Sequence, residues 1–147
     1  MNALNIILIS IITFTLTELF RYYFGFHSFL KKQKKGWIGF DLDGTLAMNY
    51  NGIFNPKEIG SPIPSMIALL RKYIEEGKEV KIFTARVSTN GTIHSIYDAV
   101  VARHFIHKWC EKNIGRKIDV VSVKDFRMRL LYDDSVIRVK TDTGEIV

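Results

Sequence analysis

The strongest constraint in this sequence is a series of short apolar runs set between longer segments of helical periodicity. Trp37–Phe40, Val80–Phe83, Ile118–Val121 and Leu130–Tyr132 are each too short for a helix and read as buried strands. Between the first two, Pro62 and Pro64 introduce a helix with apolar Met66, Ile67, Leu69, Leu70, Tyr73 and Ile74, stopped by Gly77. A longer helix follows through Ile93, Ile96, Tyr97, Val100, Val101, Phe105 and Trp109, ending near Gly115. Strand–helix–strand alternation on this spacing predicts an α/β fold, a Rossmann-like parallel sheet sandwiched by helices on both faces. Val136–Val139 is the expected fifth strand.

At 147 residues, the chain has room for one domain with a real core and not for two. Hydrophobic residues at 47% and charged ones at 24% exclude a disordered chain. A single cysteine, Cys110, excludes an internal disulfide and any all-cysteine zinc site, which fits a reducing compartment.

The net charge of +6 is unevenly placed. Residues 1–35 hold Arg21, Lys31, Lys32, Lys34 and Lys35 against Glu18 alone, and the remaining chain has 16 basic and 14 acidic side chains. A domain-wide nucleic-acid surface is therefore not indicated. The 15 residues from Ala3 to Thr17 carry no charge, and apolar character continues to Phe26. A bilayer needs about 20 residues, a length reached only by including Glu18 and Arg21, three apart on a helix. Bulky aromatics and then KKQKK follow, the reverse of the order in a signal peptide. A surface helix would want a polar face that Leu4–Leu16 largely lacks. Residues 1–35 are accordingly expected to be a membrane anchor with a basic juxtamembrane run, contacting membrane through residues 3–24. The anchor spans the bilayer or is firmly inserted in it. The positive-inside rule places residues 36–147, the expected globular domain, on the cytoplasmic side.

Asp41-Leu42-Asp43-Gly44-Thr45 stands where the first strand ends. Ligands of an open parallel sheet collect at the carboxyl ends of its strands, and Gly44 permits the turn that lets two carboxylates face one pocket. The motif resembles the opening of the haloacid dehalogenase superfamily, and its later motifs occur in order. Thr84 ends the second strand in IFTAR, Lys124 stands in VSVKDF, and Asp133 and Asp134 end LLYDDS. The resemblance covers roughly residues 36–147 and extends to capless phosphatases of the phage and polynucleotide-phosphatase kind.

That resemblance implies a magnesium-dependent phosphomonoester hydrolase. Asp41 would be the nucleophile that forms an aspartyl-phosphate, and Asp43 the acid and then base. Thr84 would bond a phosphate oxygen, and Lys124 would offset the crowded negative charge. Mg²⁺ would be held by the Asp41 carboxylate, the Asp43 backbone carbonyl and a carboxylate of Asp133 or Asp134. The acidic pair is often followed by Arg in such proteins, and Ser135 takes that place here. The loop Ala47–Ser61, with Asn49, Tyr50, Asn51, Gly52 and Pro56, leaves no room for a cap domain, nor does the stretch from Thr84 to Lys124.

Several residues admit blander readings. Asp43-Gly44 on its own is a turn, and Thr84 and Lys124 on their own a cap and a surface lysine. Clustered carboxylates, by contrast, repel unless a cation sits among them. His104, His107 and Cys110 share a helix at spacing three and could touch a soft metal, but read better as partly buried or surface helix residues. Arg86, Arg127 and Arg129 are weaker candidates for reaching substrate. The partner is a phosphorylated substrate of unspecified class, with a nucleotide or polynucleotide phosphatase as the alternative and a non-catalytic binding module as a further one.

Overall fold

The computed structural model describes residues 3–49 and 55–147, with side chains of the first helix described over residues 10–27. Tyr50, Asn51 and Gly52 lie outside the described residues. The chain divides into two compact units, residues 1–36 and 37–147.

The first unit is one helix, α1 (Ala3–Lys35). It contains the whole segment expected to meet membrane. Among the described residues, however, no helix is long and apolar enough to cross a membrane. Glu18 and Arg21 interrupt the apolar run.

The second unit is an α/β fold. Its elements are β1 (Trp37–Phe40), α2 (Pro64–Glu75), β2 (Glu79–Phe83), α3 (Ile93–Asn113), β3 (Asp119–Val121) and β4 (Met128–Tyr132). All strand pairs are parallel, in the order β3-β2-β1-β4. Pro64 occupies the first turn of α2, where its missing N–H costs nothing. Thr92 caps α3 by accepting the Ser95 amide at 3.3 Å.

The steps β1–α2–β2 and β2–α3–β3 run the same way across the sheet. Right-handed crossovers then put both helices on one face. The strand alternation agrees. Phe40, Val80, Ile82 and Val120 point into one core with Ile67 and Leu70 of α2 and Ala102, Ile106 and Cys110 of α3. Full burial of Phe40, Leu70, Ile82 and Ile106 contributes about 1.5–3 kcal/mol for each side chain.

The expected helices on both faces are therefore found on one face of this unit, because the link from β3 to β4 carries no helix. The opposite face is built from Trp37, Gly39, Phe83 and Leu131, which converge around Gly39. Charge covers part of it. Trp37 donates its indole N–H to Asp125 at 2.8 Å, Lys81 lies 5.0 Å from the Trp37 ring, and Arg127 pairs with Glu79 at 2.6 Å.

The fifth strand does not form. Val136, Ile137 and Val139 are exposed, and Val139 makes only an isolated bridge to Ile146.

Candidate functional site

The four strands end at one edge of the sheet, and the backbone ties their exits together. The Asp41 amide donates to Tyr132 O at 2.8 Å, and the Thr84 amide to Val121 O at 2.9 Å. Asp41, past β1, is thereby fixed beside the end of β4, where Asp133 and Asp134 follow. After Asp41 the chain folds on itself. Leu46 and Ala47 amides both donate to Leu42 O, and Gly44 donates to Ala47 O. Leu42, Leu46 and Ala47 are fully buried, so this turn is part of the core and its polar members are held in place.

Gly44 has φ +86°, and a Cβ built there would lie 2.3 Å from Asp134 Oδ2. Only glycine allows both the left-handed backbone and the close approach of that carboxylate.

Asp41, Asp133 and Asp134 each offer an oxygen, and these atoms all lie within 4.8 Å of one another. The Asp41 carboxyl is pushed up to about 7, first by burial and then by the charges of Asp133, Asp43 and Asp134 against it. Beside the cluster, a cavity of about 270 Å³ is lined by Gly44, Thr45, Ile63, Tyr132, Asp133 and Asp134, among others. The Thr45 hydroxyl is buried at this wall and, among the described residues, has no hydrogen-bond partner. Three hard carboxylate donors and an orphaned hydroxyl fit an oxygen-seeking divalent cation with an oxygen-rich ligand, the preference of Mg²⁺.

The Asp43 carboxylate is outside this group of three. Arg86, in the 3₁₀ turn Ala85–Val87, grips it with both arms: Nε to Oδ2 at 2.6 Å and Nη2 to Oδ1 at 2.8 Å. Arg86 also donates from Nη1 to Asn55 O at 2.7 Å, which fastens the loop before α2 to the site. Asp43 and Arg86 line a second cavity, about 290 Å³, with Met48, Asn49, Asn55 and Glu58 among its walls. The Trp109 indole of α3 donates to Gly60 O at 2.9 Å and braces the far side.

Thr84 is buried at the end of β2, and its hydroxyl accepts the Arg86 amide at 3.3 Å. Lys124 does not join the cluster. It is exposed in the β3–β4 link and, among the described residues, makes no ion pair. Ser135 is exposed, and its backbone amide donates to Asp133 Oδ1 at 2.8 Å. Arg127 is committed to Glu79 at the opposite edge of the sheet, and Arg129 is exposed. Cys110 is fully buried and its thiol is pushed up to about 12 by that burial. Among the described residues, His104, His107 and Cys110 do not converge as a metal-holding group.

Arg86 and Thr45 carry more of the site than their sequence positions suggested. The signal for Arg86 was its place two residues beyond a strand-ending threonine. Thr45 was visible only as the last letter of the motif.

These features define an α/β protein with a carboxylate cluster at the carboxyl edge of a parallel sheet. No known family, curated protein or solved structure matches the chain.

Proposed function

We propose that residues 37–147 form a magnesium-dependent phosphomonoester hydrolase of the haloacid dehalogenase type, as the resemblance of its ordered motifs implies. The observation that carries this reading is the convergence of Asp41, Asp133 and Asp134 within 4.8 Å, at the edge where open parallel sheets bind ligands.

Asp41, Asp133 and Asp134 would hold the cation, which when bound neutralises charge on the phosphoryl oxygens and screens the carboxylates from one another. An Asp41 oxygen attacks phosphorus, the bond to the leaving oxygen breaks, and an aspartyl-phosphate results. Asp43 gives a proton to the leaving oxygen, then takes one from the water that attacks phosphorus and returns Asp41 as a free carboxylate. Both Asp43 oxygens accept from Arg86, so this pair opens or slides before the proton moves. The Thr84 hydroxyl, and the orphaned Thr45 hydroxyl, supply hydrogen bonds to the phosphoryl group. Lys124 would have to move inward to take the role that the motif gives it.

A second reading, a cation-binding module without turnover, draws on the same Arg86–Asp43 pair, since an acid held by both oxygens is a poor proton donor. Phosphate release from a generic aryl phosphate separates the two. Turnover that requires Mg²⁺ and is lost in Asp41→Asn supports the hydrolase. Tight Mg²⁺ binding without turnover on aryl, nucleotide or 3′-phosphorylated oligonucleotide substrates supports the module.

A further inference from the structure

We propose that α1 inserts into a lipid bilayer with an anionic surface, an assignment that stands independently of the hydrolase reading. Ile12, Leu16, Leu19, Tyr23 and Phe26 recur at the spacing of one helical stripe, and each is more than half exposed. Phe14, Phe20 and Phe24 are equally exposed but fall on other sides of the helix. A second copy packed along the stripe would leave those rings in water, whereas a helix sunk into one leaflet, without crossing the bilayer, gives them apolar cover.

The threonines and the Glu18–Arg21 ion pair of this segment find their partners within the helix. Thr13 donates to Ser10 O at 3.0 Å, Thr15 to Ile12 O at 2.9 Å and Thr17 to Thr13 O at 2.6 Å. Arg21 donates to Glu18 at 3.0 Å, so the two charges cancel in place. In water these bonds compete with solvent and an exposed ion pair adds little. In hydrocarbon they are what a helix must make before it enters. The Tyr22 and Phe26 rings stack 6.3 Å apart, in the aromatic stretch just before the basic run, the order that an interfacial belt followed by headgroups requires. Lys31, Lys32, Lys34 and Lys35 then complement an anionic surface, at about fivefold in binding for each lysine.

The test is flotation of the full chain with vesicles of phosphatidylcholine, with and without phosphatidylserine. The protein should float, and float better with phosphatidylserine. Replacing Leu16 and Leu19 together by Asp should weaken partition at least tenfold, with the thermal melt of the globular unit unchanged. Replacing the four lysines by Gln should erase the preference for phosphatidylserine while leaving binding to neutral vesicles. Unchanged partition in the Leu16/Leu19 variant would overturn the proposal. So would a chain that stays lipid-free and runs as a stable dimer in plain buffer, since that would place a second copy on the stripe.

Discussion

Arg86 and Asp43 form a two-pronged ion pair, 2.6 and 2.8 Å across its arms, with the arginine side chain 11% and the aspartate 24% exposed. The same guanidinium holds Asn55 O, so one side chain fixes the acidic turn after β1 and the loop before α2 together. Arg86→Ala is expected to lower stability by about 1–3 kcal/mol, the usual loss when a partly buried charge is left without its partner. Turnover should fall at least tenfold. Arg86→Lys should recover only part of either, because an ammonium cannot reproduce the planar fork. Thermal melts and aryl phosphate kinetics check both.

Gly44→Ala adds a methyl to a residue at φ +86°, 2.3 Å from Asp134 Oδ2. The backbone strain alone is of the order of 1–3 kcal/mol, and the carboxylate must swing away. Mg²⁺ affinity, followed by calorimetry, should drop about tenfold or more, and the melt should fall with it. Retained affinity would remove Asp134 from the cation site.

For Asp41 the folded-state value, about 7, lies above the ordinary 3.8. The folded chain therefore binds this proton where the unfolded one has lost it, and stability falls as pH rises from about 4 to 7. In chelator, the melting temperature of the wild type should decline over that window. Asp41→Asn should flatten the decline, and Mg²⁺ should reverse it by taking the proton's place. Mg²⁺ affinity should correspondingly rise with pH up to about 7 and then level off.

Trp37, 1% exposed at the start of β1, fills the face of the sheet that carries neither α2 nor α3. Trp37→Ala should cost about 3–5 kcal/mol by opening a cavity. Trp37→Phe keeps most of the volume and loses the bond to Asp125, at about 1 kcal/mol. Denaturant titration separates the two losses.

The four sheet strands were legible as short, mainly apolar runs, uninterrupted in β1 and broken by Lys81 in β2, Asp119 in β3 and Arg129 in β4. Val136–Val139 has the same composition, yet it bends into a small hairpin. Val147 N–H donates to Arg138 O at 3.0 Å, and Lys140 pairs with Glu145, so its apolar side chains face solvent. Composition cannot tell a paired run from an unpaired one. Both helices were legible from their periodicity, but not the face they share, which depends on strand order. Within the site, Asp41, Asp133 and Asp134 were legible because strand ends lie at one edge by construction. Lys124 and Arg86 sit on connections, whose geometry comes from contacts far off in sequence. The basic residue that pairs with a motif carboxylate is Arg86, on Asp43, and Lys124 is exposed.

The order β3-β2-β1-β4 has a consequence in time. A nascent chain emerged as far as Val121 contains the sequence of three strands, both covering helices and Asp41. It lacks Asp133 and Asp134, which arrive only when β4 zips against β1 by pairing Trp37 with Met128 and Phe40 with Tyr132. The carboxylate cluster thus needs β4 in place beside β1, and the same pairing brings Tyr132 onto the Phe40 ring, 4.8 Å away. A chain that stops short of β4 has Asp41 without the two carboxylates that meet it in the finished fold.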